Sequence, residues 1–456
     1  MNLNLRQAKQ RASLTEANLY SVLVRLSWPA MVGMLFQSLT GITDVFFLGR
    51  LGDPSAQAAI GIFAVLQGYL GSYNAIIGNG SISVISQLYG SGRLQEASRA
   101  TTQTLALKLF GSLLFTLPVF FFLKPLLSLL GASGNALTLG IQYGKVLCLM
   151  IPFMNTNYTF NTALRAAGDA VTPMYLMLGS LLLNLILNIF FILGIPPFPK
   201  LGILGVAYST SIAQLALFFG GLFYYSSKKS LIRIKLKEFF HPDLLLMRKI
   251  FSIGLPTGFQ GLIGSFGGSL IMRNIASFGM QTVAAYTVAT RVAGFAGMPI
   301  GGLSFATSAI VGQNVGAKKP DRAIRATNLA AIMAVSITTF FFILFMVNPL
   351  FFLHIFSKDP SVDKLGVTVL FIFSFLQITG ALSSIYSAPL LGTGYLKIGF
   401  YLSLFTTWVI HIPSMYILSR FFGMTGLWTS FILANFFTLY LVFIVFKKRT
   451  WLLHVI

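Results

Sequence analysis

Apolar residues in this chain run on for about twenty positions at a time and are interrupted by short clusters of Gly, Pro and charge. A helix rising about 1.5 Å per residue needs roughly that length to cross a hydrocarbon layer of about 30 Å. Twelve membrane-spanning helices are predicted, near residues 22–47, 57–79, 101–123, 138–163, 172–195, 203–226, 250–276, 283–311, 328–353, 364–390, 398–420 and 425–447. The opening stretch "MNLNLRQAKQRASLTEANLY" is polar and has no short apolar core before a small-residue cleavage site. A removable signal peptide is therefore not expected, and the first apolar run should remain as a span.

Composition strengthens this picture. Of 456 residues, 55% are hydrophobic and 9% charged, and the mean hydropathy is +0.80. A water-facing skin would need about a quarter of the residues charged, so the expected fold class is an all-α polytopic membrane protein with a lipid-facing exterior. The net charge of +22 reflects 32 Lys and Arg against 10 Asp and Glu. On a soluble domain such an excess would suggest nucleic acid, but here the basic residues fall between apolar runs and act as topology signals. With the N-terminus placed in the cytoplasm, inner segments hold 22 basic residues and outer loops hold 6. That bias predicts both termini in the cytoplasm and a multi-pass location in the cytoplasmic (inner) membrane, with no nucleic-acid partner. Cys148 is the only cysteine, and His241, His354, His411 and His454 have no ligand spacing, so no disulfide, metal or other cofactor is expected.

The longest polar stretch, residues 227–249, divides the chain into halves that resemble each other. "LSWPAMVGMLFQS" is similar to "IGLPTGFQGLIGS", pairing Pro29 with Pro256. "SQLYGSGRLQEASRA" is similar to "GQNVGAKKPDRAIRA", pairing Gly90 with Gly316 and Arg99 with Arg325, and "LRAAGD" pairs with "LLGTGY". The domain reading is an N-lobe of spans 1–6 (1–226), a cytoplasmic linker (227–249) and a C-lobe of spans 7–12 (250–456). Two six-span halves that start on the same side form a parallel repeat about the membrane normal, a symmetry used by alternating-access transporters.

The halves differ where chemistry could sit. Asp44 pairs with apolar Ile271 and is the one acidic residue well inside a predicted span. Its charge there costs about 2.5–3.5 kcal/mol on insertion scales, so it should face a cavity or a partner. Gln37 and Thr40 share its helix face, and Asn184 and Asn188 lie at i and i+4 in the fifth span, with Thr210 in the sixth. One carboxylate, two amide carbonyls and a hydroxyl would suit Na⁺, while the carboxylate alone could carry H⁺. The competing reading is an Asp hydrogen-bonded between helices, with the Asn residues as interhelical fasteners. Arg273 and Arg291 could meet an anionic group or extend to an interface, and the second of these is favoured. His411 is read as packing. Pro29, about four turns before Asp44, is a candidate helix-bending position. An integral membrane enzyme would need a polar catalytic cluster, which one lone intramembrane carboxylate does not supply.

The segments "LSWPAMVGMLFQSLTGITDVFFLGRLG", "ALRAAGDAVTPM", "VAAYTVATRVAGFAGMP" and "SAIVGQNVGAKKPDRAIRAT" resemble the multidrug and toxin extrusion (MATE) family, with bacterial NorM-like and DinF-like branches, nearly end to end. The resemblance implies two six-helix bundles forming a V. It also implies export of organic cations and amphipathic compounds by Na⁺ or H⁺ antiport, with the chain expected to work as a monomer in the lipid bilayer. It further implies a first-lobe cation site at Asp44, Asn184, Asn188 and Thr210. Asn188 stands where the DinF-like branch often has a second Asp, which leaves one titratable group and keeps Na⁺ open. The NorM-like acids of the seventh and tenth spans align with Gly264 and Gly380, so coupling should rest on the first lobe. The alternative within transport is a flippase for a lipid-linked oligosaccharide or other lipid precursor.

Overall fold

The computed structural model of the chain describes residues 14–453 apart from 51, 197, 228, 229, 235 and 358. Arg6, Lys9, Arg11, Lys228, Lys229, Lys235 and Lys358, which entered the charge-bias reading, lie outside the described residues, as does most of the polar stretch read for a signal peptide. Among the described residues all regular structure is helical. The main helices are α1 (Leu19–Arg50), α2 (Pro54–Gly90), α3 (Leu94–Phe121), α4 (Gly134–Ala166), α5 (Val171–Leu193), α6 (Ile203–Ser226), α7 (Leu244–Ala276), α8 (Met280–Gly316), α9 (Pro320–Val347), α10 (Pro360–Thr393), α11 (Leu396–Phe405) and α12 (Ile412–Lys448). A π-helical turn, Thr406–His411, joins α11 to α12.

Each predicted span coincides with helix, and the mapping is informative at the end of the chain. Spans eleven and twelve lie in one nearly continuous helical run, and Gly423 (φ 58°, ψ −137°) makes the turn between them. Such a φ favours glycine, which has no Cβ to clash. Several helices outrun their apolar stretch: α2 is 37 residues long and continues through the small, polar and buried sequence "NGSISVISQLYG". At its start Asp53 accepts a hydrogen bond from the Ser55 amide at 2.9 Å, and Pro54 occupies the first turn, where no intrahelical N–H is needed. Large apolar side chains such as Leu114, Phe121, Phe223 and Val347 point outward, the exterior a lipid-facing protein requires.

By contacts the chain divides into two compact units. Among the described residues, the first comprises Val32–Leu255, and the second takes residues 14–31 together with those from Pro256 onward. The division falls inside α1 just after Pro29 and inside α7 just before Pro256, so each of these helices is shared. Within the first unit the start of α7 presses on α2 so tightly that a Cβ on Gly254 would lie 1.7 Å from the Ile76 carbonyl oxygen. Within the second unit the start of α1 meets α8, where a Cβ on Gly302 would lie 2.6 Å from the Met31 amide nitrogen. Glycine permits both backbone approaches. The core of the first unit gathers Phe47, Phe63, Leu123 and Leu147, and that of the second gathers Val292, Leu376, Trp428 and Phe431.

Candidate cation site

Three helices of the first unit bring the polar set together. Asn184 and Asn188 project from one face of α5, as their four-residue spacing requires, and both are fully buried. Asn188 Nδ2 donates to Asp44 Oδ1 at 2.8 Å, and Asn184 Nδ2 donates to the same oxygen at 3.2 Å. From α6, the Thr210 hydroxyl donates to Asp44 Oδ2 at 2.8 Å. The shell is cross-braced. Asn184 Nδ2 also reaches Thr210 Oγ1, and Asn188 Nδ2 reaches Asn184 Oδ1, both at 3.2 Å. Hydrogen bonds to a charged acceptor contribute about 1.5–3 kcal/mol each, so three of them offset much of the cost of placing Asp44 here.

One polar atom in this shell is left over. Asn188 Oδ1 is buried and has no hydrogen-bond partner among the described residues. An orphaned acceptor beside a carboxylate gives the set an oxygen free to bind a cation or a proton donor.

Asp44 and Thr210 also line a cavity of about 400 Å³ enclosed by α1, α2, α4, α5 and α6. Gln37 and Thr40 line it too: Gln37 is exposed, and half-buried Thr40 donates to the Phe36 carbonyl at 3.1 Å. Asn157 and Asn161 of α4 add two buried carbonyl oxygens without partners, Oδ1 in each case. Among the described residues the lining holds neither Lys nor Arg. Pro29 is buried within α1, and Arg273 and Arg291 are both exposed. His411 packs edge-on against Phe431 at 4.6 Å between ring centroids. Gly264 has open space around it, while Gly380 approaches Asn435.

Sequence reasoning missed Thr43, whose hydroxyl donates to the Thr40 carbonyl at 2.8 Å and lies 3.3 Å from Asn184 Oδ1, a second acceptor that links α1 to α5 beside Asp44. Its only signal was adjacency to Asp44. Asn157 and Asn161 carried the same i, i+4 spacing as Asn184 and Asn188 and could have been found by it. Among the described residues no group of three or more His, Cys, Asp or Glu is placed to hold a metal ion. The donor set is therefore one carboxylate with neutral oxygens, chemistry suited to a hard monovalent cation or a proton rather than a transition metal.

The MatE family model matches this chain twice, over residues 29–190 and again over 256–417. The chain belongs to the MatE family. The paired matches start at Pro29 and Pro256, the positions that the internal repeat equates. Among its relatives, the probable multidrug resistance protein YoeA of Bacillus subtilis is 25% identical over 429 residues, covering 92% of this chain and 93% of YoeA. The multidrug export protein MepA of Staphylococcus aureus is 27% identical, with 91% of each chain covered. A solved outward-facing MATE transporter superimposes with a TM-score of 0.88 at 24% identity, covering 96% of this chain and 97% of that one. A MATE structure in the straight conformation gives 0.89 at 23% identity, with 96% and 97% covered. This MatE chain is thus a multi-pass membrane protein of a multidrug efflux transporter family, and members of that family are transporters rather than enzymes.

Proposed function

We propose that this protein exports cationic and amphipathic small molecules by antiport, with Asp44, Asn184, Asn188 and Thr210 as the coupling-cation site. The observation that carries the reading is the half-buried carboxylate at the wall of the first-unit cavity, braced by three side chains from two other helices. Asn157 and Asn161, which line the same cavity, carry further oxygens unpartnered among the described residues, so the wall as a whole favours positive charge. Gln37 and Thr40 shape the same wall.

Antiport follows if coupling cation and substrate compete for this electrostatic environment, each favouring a different exposure of the cavity. H⁺ needs only to occupy one Asp44 oxygen and displace one donor. Na⁺ needs more, because the amide groups of Asn184 and Asn188 now present N–H to Asp44 and would have to turn their carbonyls towards the ion. Pro29, within α1 and close to the position where the helix passes between units, is the natural place for α1 to bend when the site's charge changes. Gly264 and Gly380 supply no carboxylate in the second half, which leaves the coupling to the first. Both termini are assigned to the cytoplasm and the chain to the inner membrane as a monomer. A flippase for lipid-linked precursors would call for a basic cavity lining, and among the described residues this lining has no basic residue.

The test is efflux of a fluorescent organic cation from vesicles carrying the wild-type protein, with Na⁺ and pH gradients imposed separately. Export driven by at least one gradient is expected, and the effective gradient identifies the ion. Export indifferent to both gradients would overturn the reading.

A further inference from the structure

Behind one part of the same cavity wall lies a buried lysine that the cation site does not use. Lys108 of α3 is fully buried. Its Nζ donates a short hydrogen bond to Asn74 Oδ1 of α2 and sits 4.6 Å from the centre of the Tyr158 ring of α4. It forms no ion pair among the described residues. Both groups offered to Nζ are electron-rich, a carbonyl oxygen and an aromatic face, and both suit its N–H donors. The pocket for it is shaped closely. A Cβ on Gly78 would lie 2.7 Å from the Tyr158 ring and 3.4 Å from Nζ. One turn along α3, Ser112 accepts from Asn155 Nδ2 at 2.8 Å, extending the polar seam between α3 and α4.

Lys108 does not reach the cavity, but Asn74 and Tyr158 line it. Because Nζ donates to the Asn74 carbonyl oxygen, the Asn74 amide nitrogen is left as the donor end of that side chain. The repeat marks these residues as additions to the first half. At the offset that pairs Arg99 with Arg325, Lys108 pairs with Ala334 and Asn74 with Ile300, both buried and apolar. The second half builds the paired position without a lysine, and burying one in the first is costly enough to call for another role.

We propose that Lys108, acting through Asn74, is a specificity-determining residue that tunes the cavity to amphoteric substrates. These molecules pair a cationic centre for the acceptor-rich wall at Asp44 with a carboxylate or similar acceptor for the Asn74 amide. This rests on the reading of the cavity as the substrate site and adds the class of substrate. Lys108 is a positioning residue, because it acts by orienting Asn74 rather than by touching the ligand.

The test uses a matched dye pair, a rhodamine zwitterion with a free carboxylate and its methyl ester, which is a cation of nearly the same shape. Binding to detergent-purified full-length protein is followed by fluorescence anisotropy with no ion gradient, so the result does not depend on antiport. The wild type is expected to prefer the acid to the ester, and Lys108→Met should weaken acid binding by about tenfold, the factor that corresponds to about 1.4 kcal/mol, while ester binding holds. Asn74→Ala leaves the lysine in place and should give the same selective loss, which carries the test if Lys108→Met fails to fold. The proposal is overturned if the wild type does not distinguish acid from ester or binds neither. Equal weakening of both dyes in the folded Asn74→Ala protein would overturn it as well. Loss of gradient-driven export with the acid preference intact would instead sink the antiport reading alone.

Discussion

Replacing Asp44 with Asn removes one negative charge and almost no volume, so its consequences for stability and for transport can be worked separately. Three donors now reach the carboxylate, at 2.8, 2.8 and 3.2 Å. A hydrogen bond to a charged group contributes about 1.5–3 kcal/mol and a neutral one about 0.5–1.5, so neutralising the acceptor loses about 1 kcal/mol or slightly more per bond. For three bonds that is about 3–4 kcal/mol. Against it stands the cost of an Asp charge near mid-span, about 2.5–3.5 kcal/mol on insertion scales, which Asn largely avoids. The two effects nearly cancel. Asp44→Asn should therefore reach the membrane folded, with a thermal midpoint in detergent within a few degrees of wild type. Transport should behave differently, because an amide can neither bind a proton in this range nor neutralise a bound cation. Gradient-driven dye efflux from vesicles is expected to fall to the level of empty vesicles. Undiminished efflux by the folded variant would refute the coupling role, and a collapse of the midpoint by tens of degrees would show that Asp44 is a structural fastener.

Two further outcomes follow from the packing. Gly254→Ala places a Cβ 1.7 Å from the Ile76 carbonyl oxygen, a backbone atom that cannot swing aside, so α7 must lift from α2. A loss of about 3 kcal/mol or more is expected in detergent unfolding, whereas Gly264→Ala on the same helix meets open space and should be neutral or gain up to about 1 kcal/mol from helix propensity. The linker that precedes α7 is held to α3 chiefly by buried Gln103, which donates to the Glu238 and His241 carbonyls at 2.7 and 3.0 Å and accepts from the Asp243 amide at 2.9 Å. Gln103→Leu should speed protease cleavage within residues 227–249 by tenfold or more, the scale set by about 1.4 kcal/mol or more for lost buried bonds. Arg99→Ala breaks only a half-exposed ion pair with Asp243 and should change cleavage by less than about fivefold, since such pairs contribute about 1 kcal/mol or less. Equal effects would contradict the ranking.

The helical spans, the twofold repeat and the candidate set at Asp44 were all legible in the sequence, because each depends on local pattern. Twenty-residue apolar runs report helix length against bilayer thickness, and four-residue spacing puts Asn184 and Asn188 on one face whatever surrounds them. The true ends of α2 were less legible, because its last turns are made of buried Ser and Gly that helix packing keeps out of water and hydropathy does not register. The sequence could nominate oxygen-bearing partners for Asp44 but could not say that they would present N–H to it, or that Asn188 Oδ1 would be left unpartnered. Those facts depend on how α1, α5 and α6 are rotated against one another.

Tertiary structure alone decided the rest. Lys108 looked like one more basic residue inside a span until packing set it between Asn74 and Tyr158 and away from water. The sharing of α1 and α7 between the two units, near paired prolines and across glycines at backbone contact, has no signature in a single run of sequence. The physical reason is the same in each case. Hydropathy and helical periodicity describe how one segment relates to its solvent, whereas hydrogen-bond direction, charge burial and close backbone approach belong to pairs of segments far apart in the chain.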